Sequence, residues 1–313
     1  MIKLFKNSFT NALLFFSLCL FACVQNNHQN ADEYRLVWED TFDSPELNTD
    51  FWQIEISGWG GGNYELQYYR EENISIGIEP ETGVSALIIT ARKEDFSDKK
   101  FTSGRLNTQG KVSAKYGKIE ARIKLPQTTN GLWPAFWMMG DDFPQTGWPA
   151  CGEIDILEMG AHKGIEENIQ DCYYNGAAHW GSSFGGGNYR MDATNTISPY
   201  GLQDGFHLWT VIWDKDAIKM YLDRDKYPDR EPHFQMATNN FEDENSTGHF
   251  FNKPFFILLN LAVGGRFTGI VGNENAHQIT ALNADNNYEA RMYVDYVRIY
   301  QRGDEGEEFF APK

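Results

Sequence analysis

Gly152-Glu153-Ile154-Asp155-Ile156-Leu157-Glu158-Met159-Gly160 sets three carboxylates into an apolar run that is closed by glycine at each end and holds no lysine or arginine. β-Branched Ile154 and Ile156 in so short an apolar run predict a buried strand. An ionised carboxylate buried without a partner costs several kcal/mol, so folding alone does not select three of them in one strand. Side chains alternate along a strand, so Glu153 and Asp155 share a face, Leu157 follows them, and Glu158 falls out of phase by one. A β-bulge near Ile156 or Leu157 absorbs one residue and returns Glu158 to the first face. We expect that bulge, because bulges re-aim side chains beside active sites. The alternative is a surface strand of solvated acids, which suits the apolar residues between them poorly.

The two glutamates then lie roughly 13–17 Å apart along the backbone. Leaning toward each other on a curved strand, their carboxyls reach about 5–5.5 Å, the separation at which two carboxyl groups cleave a glycosidic bond with retention. Asp155 between them is placed to hydrogen-bond the nucleophile and to set the two ionisations apart.

Outward from this stretch the chain reads as strands. Ile119, Ala121, Ile123 and Leu125 alternate with Lys118, Glu120, Arg122 and Lys124. Leu87-Ile88-Ile89, Phe206 to Trp213, Ile218 to Leu222, Phe255 to Val263 and Met292 to Tyr300 are further short strands between clusters of Gly, Asn, Asp and Pro. No long stretch holds a 3.6-residue period. Many short strands with turn signals predict an all-β fold, a β-sandwich in one domain over residues 34–302.

Several blocks carry a resemblance. The acidic strand resembles the bulged Glu-x-Asp-x-x-Glu signature of glycoside hydrolase family 16, in its laminarinase-like (endo-β-1,3-glucanase) branch. Val37-Trp38-Glu39-Asp40-Thr41-Phe42, Glu65-Leu66-Gln67-Tyr68-Tyr69, Ser103-Gly104-Arg105, Gly131-Leu132-Trp133-Pro134-Ala135-Phe136-Trp137, Asn260-Leu261-Ala262-Val263-Gly264-Gly265 and Val294-Asp295-Tyr296-Val297-Arg298-Ile299-Tyr300 are similar to that family's blocks, in the same order. The resemblance implies a lectin-like jelly roll whose concave sheet forms a substrate cleft. It implies endo-acting retaining hydrolysis of β-1,3-glucan, with mixed-linkage β-glucan as a second substrate. It assigns Glu153 as nucleophile, Glu158 as acid/base and Asp155 as their support. Asn63, Glu65, Arg105, Trp133, Trp137, Trp148 and His179 match positions that line the cleft. Asn63-Tyr64-Glu65 departs from the family's usual Asn-Asn-Glu. Relatives often hold a structural calcium on the convex face, and the matching positions are Glu39, Asp295 and the backbone at Gly83. No organic cofactor is implied. The rivals are a same-fold hydrolase of algal galactan, agarose or porphyran, and a β-glucan-binding protein without catalysis; the second is disfavoured because both glutamates are present.

Lys3 and Lys6, an apolar stretch from Ala12 to Leu20 and Leu20-Phe21-Ala22-Cys23 form a signal peptide over 1–22, too short for a membrane span. Its end resembles a bacterial lipobox, which implies lipid on Cys23 and a periplasmic or surface-exposed, membrane-tethered protein. Residues 23–33 are polar and read as a tether. Four cysteines make no disulfide framework. Cys151 and Cys172 pair only if their Cα atoms lie within about 7 Å, and otherwise act as small buried hydrophobes. A net charge of −17 with no basic, aromatic-interleaved stretch argues against nucleic acid and suits a neutral polymer. A monomer is the default, and the acidic tail, 303–313, is expected to be a solvated end. Gly181-Ser182-Ser183-Phe184-Gly185 matches a serine-hydrolase pattern, but the glycines that follow cannot start the helix which that elbow needs.

Overall fold

A computed structural model describes residues 33–312 apart from Gly186. The signal peptide, Cys23 and all but the last residue of the tether lie outside the described residues. Two antiparallel sheets pack face to face. The first runs in the order 234–237, 217–222, 206–213, 117–124, 289–301, 85–92, 101–103, 67–69, with 35–40 beside 289–301 and 74–78 beside 85–92. The second runs 190–197, 173–180, 153–159, 132–140, 255–263, 105–107, 53–54, with 113–115 also on the 255–263 strand. The one parallel pairing among these strands joins 67–69 to 101–103.

The alternation seen in the sequence builds the core. Ile119, Ala121 and Ile123 are fully buried, and so are Leu87, Ile89, Trp209, Val211, Val294 and Ile299 of the same sheet. They meet Phe136, Met138, Ile154, Leu157, Ile257 and Leu259 of the other sheet in one cluster. Burying each such side chain stabilises the fold by about 1.5–3 kcal/mol before the entropy of ordering is counted. The central strand of the second sheet, Phe255–Val263, is buried on both faces. One face meets the core, and the other is covered at one end by the loop that leads into the acidic strand: Phe256 and Leu258 join Met139, Cys151, Trp137, Phe143 and Trp148.

One expectation is corrected here, and two others meet particular structure. The acidic tail is not a solvated end: Glu308–Phe310 forms a strand on Ser113–Lys115, and Phe309 packs against the core. The Glu307 carboxylate accepts from the backbone N–H groups of Arg302, Gly303 and Asp304, which turns the acidic run back on itself. Cys151 and Cys172 are both free thiols. They stand at opposite ends of paired strands, where Glu153 faces His179 and Met159 faces Tyr174. Glu39 and Asp295, the expected calcium positions, are each paired with an arginine. Glu39 holds the Arg298 guanidinium at 2.9 Å and Asp295 holds that of Arg122, so a cation would have to displace two guanidiniums. Gly83 is one end of a tight turn, its N–H donating to Glu79 O. Among the described residues, the grouping of metal-type side chains lies elsewhere, at Glu153, Asp155 and His179.

Candidate active site

The bulge is present. Trp137 pairs with Asp155 and Phe136 with Leu157, so Ile156 is the extra residue on the acidic strand. On the other side Asp155 faces Ala177 while Glu158 faces Asn175. Ile156 and Leu157 both enter the core, completely buried. Leu157 therefore does not follow Asp155, and Glu158 regains the face of Glu153 and Asp155.

Register then fixes what surrounds each carboxylate. One transverse row reads Asn195, Asn175, Glu158, Ala135, Asn260, Arg105. The next reads Ala193, Ala177, Asp155, Trp137, Leu258, Asn107, Gln53. A third runs Met191, His179, Glu153, Met139, Phe256. The carboxylates thus occupy consecutive rows on one face, flanked by polar groups at one end and an apolar patch at the other.

Glu158 is the most firmly held. Trp133 Nε1 donates to its Oε1 at 3.0 Å and Asn175 Nδ2 to its Oε2 at 2.8 Å. His179 stands with Nε2 3.1 Å from Asp155 Oδ2 and 3.8 Å from Glu153 Oε1. Its Nδ1 meets the Tyr189 hydroxyl at 2.6 Å. Burial pushes all three carboxyls up. Glu153 is raised to about 8, by desolvation and then by the charge of Asp155, against the pull of His179 and Arg105. Asp155 is raised well above the ordinary range by burial and by Glu158. Burial also raises Glu158, while His179, Asn175 and Trp133 hold it down. Three like charges in consecutive rows resist ionising together, so the group shares its protons and titrates as a unit.

The residues expected to line the cleft divide. Trp133 stacks on Phe267 with ring centroids 4.8 Å apart. Trp137 gives its indole N–H to Asn260 Oδ1 at 2.8 Å and carries the Arg105 guanidinium 4.8 Å over its ring. Arg105 also pairs with Glu55 at 2.9 Å, so its charge is shared between the cleft floor and a structural ion pair. Trp148 sits in an aromatic group with His179, Phe184 and Tyr189. Asn63 belongs to a glycine loop tied to the cleft wall, where its carbonyl accepts from Arg266 N at 2.8 Å. Glu65 is the exception. It is 5 % exposed, and its Oε2 accepts from Gln67 Nε2 at 2.7 Å and Tyr69 Oη at 2.9 Å. A Cβ on Gly61 would lie 2.2 Å from its Oε1, so the glycine loop closes directly over this carboxylate. Glu65 supports the loop.

Asn175, Tyr189, Asn260 and Phe267 complete the site and were not singled out in the sequence. Asn175 could have been, since it lies four residues before His179 on the same strand face. Tyr189 and Phe267 come from loops that no period reaches.

A sandwich with a carboxylate pair on one cleft face defines a glycosidase-type site, and comparison with known proteins places it. The family model described as glycosyl hydrolases family 16 matches residues 52–247, and the chain belongs to that family. It is similar to the glucan endo-1,3-beta-glucosidase of Cryptopygus antarcticus, 34 % identical over 84 % of this chain and 89 % of the relative. It is also 34 % identical to the clotting factor G alpha subunit of Tachypleus tridentatus over 86 % of this chain, but spans only 34 % of that protein's length. Among solved structures, a family 16 enzyme from a Bacteroides ovatus mixed-linkage glucan locus, in complex with a G4G4G3G product, superposes with a TM-score of 0.70. The two are 36 % identical over 84 % of this chain and 100 % of that one.

Proposed function

We propose that this protein is a retaining endo-β-1,3-glucanase that also accepts mixed-linkage β-1,3/1,4-glucan. The observation that carries the reading is the bulge at Ile156, which sets Glu153, Asp155 and Glu158 on one cleft face. Glu153 attacks the anomeric carbon while Glu158 protonates the leaving oxygen; Glu158 then takes a proton from the water that frees the glycosyl-enzyme. Asp155 orients Glu153 and shapes its ionisation through its charge. Indole faces at Trp133, Trp137 and Trp148 present large apolar area to the C–H faces of sugar rings. The names of the relatives support a glucan substrate and both linkages. No organic cofactor enters this chemistry.

We also propose export and lipid attachment at Cys23, on the strength of the basic, apolar and cysteine-terminated start of the chain, with a monomer tethered in the periplasm or at the outer surface. Among the described residues no helix is long and apolar enough to cross a membrane. Loss of fatty-acid labelling in Cys23→Ala checks the anchor. For the activity, residues 33–313 are incubated separately with laminarin, mixed-linkage glucan, agarose and cellulose, and early products are resolved by size. A ladder of short oligosaccharides from laminarin is expected. Products from agarose alone would move the substrate to galactan, and binding without products would make the protein a lectin.

A further inference from the structure

We propose that Glu153, Asp155 and His179 form a site for a borderline divalent cation of the zinc(II) type, whose occupation blocks the cleft. One ligand atom from each residue lies within 4.8 Å of the other two. Four-coordinate zinc needs metal–ligand distances of about 2.0–2.2 Å, hence ligand separations of about 3.4 Å. His179 Nε2 and Asp155 Oδ2, at 3.1 Å, already meet that spacing, and Glu153 Oε1 at 3.8 Å from the same nitrogen needs only a small side-chain rotation. The mixed set of one imidazole and two carboxylates selects zinc-like ions over magnesium or calcium, which take oxygen ligands.

Two further observations point to a ligand. Asp155 is 5 % exposed, and its Oδ2 is buried without a hydrogen bond of good geometry, the polar contact recorded for it being the proposed co-ligand, His179 Nε2, at 3.1 Å. A buried carboxylate oxygen so placed has a lone pair left for a cation. The second is the Tyr189 hydroxyl on His179 Nδ1 at 2.6 Å. When Nδ1–H donates to Tyr189, the Nε2 lone pair points at the two carboxylates, an arrangement of three electron-rich atoms that either a proton or a metal ion relieves. A metal-bound histidine ordinarily has its other nitrogen fixed by just such an outer partner. The backbone that presents the site is a paired ladder, Glu153 opposite His179 on adjacent strands, so the ligands are held on rigid elements. Coordination of Glu153 removes the nucleophile, so the cation competes with glucan.

Only the competition with substrate rests on the proposed function; cation binding stands apart from it. Cobalt(II) is the probe, since a low-symmetry four-coordinate N/O site gives it visible absorption bands that the hexa-aquo ion lacks. The metal-free full chain is titrated with cobalt(II) at neutral pH, then with zinc(II). Saturable appearance of those bands at one cobalt per chain, their displacement by zinc and their suppression by a laminarin oligosaccharide are expected. His179→Gln should weaken binding by about 100-fold and Tyr189→Phe by about 10-fold. A melting scan confirms that each variant is folded, and Asp155→Asn serves as a second ligand variant. Absence of saturable binding to the wild-type chain overturns the proposal, as does binding that the ligand variants leave unchanged. Cobalt binding by a chain that cuts no glucan would retain this site and remove the proposed function instead.

Discussion

Trp133 Nε1 donates to Glu158 Oε1 across 3.0 Å, from the strand next to the one that bears the acid. The same indole is stacked on Phe267, so the donor is fixed by packing as well as by its hydrogen bond. A donor to a carboxylate favours the charged form. Trp133→Phe keeps most of the ring and removes the donor, so the Glu158 carboxyl rises further. The alkaline limb of the kcat profile, which reports loss of the acid's proton, should move to higher pH, with kcat down by about 10-fold. An alkaline limb that stays in place would rule out this hydrogen bond as a control on Glu158.

Deleting Ile156 takes out the bulge. Alternation then runs unbroken from Glu153 through Asp155 and Leu157 to Glu158, so Glu158 keeps the cleft face and its partners Ala135 and Asn175. We expect activity to stay within about 100-fold and stability to drop by about 2–5 kcal/mol, from loss of the fully buried Ile156 side chain. A folded deletion variant whose activity falls by more than about 10³-fold would show that the carboxylate geometry needs the bulge itself.

Asp155 raises Glu153 through like charge. Asp155→Asn removes that contribution and lowers the pH at which Glu153 ionises, so the acid limb of kcat/KM should move to lower pH. A loss of about 10²-fold in kcat is expected alongside, because the amide cannot take part in proton sharing. Profiles of both proteins on one soluble glucan oligosaccharide give the comparison.

His233 sits on the core side of the bulge. Its Nε2 lies 3.1 Å from where a Cβ on Gly176 would stand, and Gly176 is the residue between the two that pair with Asp155 and Glu158. Both ring nitrogens are shut from solvent without a hydrogen-bond partner of good geometry, and burial pushes the imidazole down to about 3. The unfolded chain takes up a proton near the ordinary value of 6.5 while the folded chain does not. Stability from this residue is therefore full above about pH 6.5 and falls, by about 1.4 kcal/mol per unit, as pH drops toward 3. His233→Leu should flatten the denaturation midpoint against pH in that window. A wild-type slope matched by the variant would contradict the neutral, buried imidazole.

Truncation after Arg302 removes the strand at Glu308–Phe310 and uncovers the backbone edge of Ser113–Lys115. Phe309 leaves the core with it. A fall of several degrees in Tm is expected with KM for glucan unchanged, and a rise in light scattering on warming should accompany it, since an open edge invites pairing between chains.

The reach of sequence reasoning shows at particular residues. The bulge was legible because three acids in one apolar run admit one face only if a residue is absorbed. Trp133, His179 and the strand carrying Glu153 were placed by alternation and by resemblance. The partners of Glu65 are not legible because they depend on a glycine loop folding back over it, and nothing local says that Gln67 and Tyr69 will claim its oxygen. The ion pairs of Glu39 and Asp295 are not legible in the sequence because their arginines arrive through strand pairing: Arg298 faces Glu39 across the seam of the first and last long strands, and Arg122 comes from a third strand. The high charge of the tail predicts solvated chain, whereas one glutamate, Glu307, accepts from three backbone N–H groups.

Arg35 pairs with Gln301 and Asp40 with Val297, so the first strand of the domain has its partner almost at the other end of the chain. In the order of synthesis, the opening segment emerges first and waits for the last. Until the Glu289–Gln301 strand is made, Gly117–Lys124 and Ser85–Arg92 also lack the neighbour that joins them, and the face bearing Trp38 has nothing to close against. Pairings of such long sequence separation are slow to form and late in the folding order. The first sheet therefore becomes continuous only once the Glu289–Gln301 strand is in place, so its completion belongs to the end of the chain rather than to its beginning.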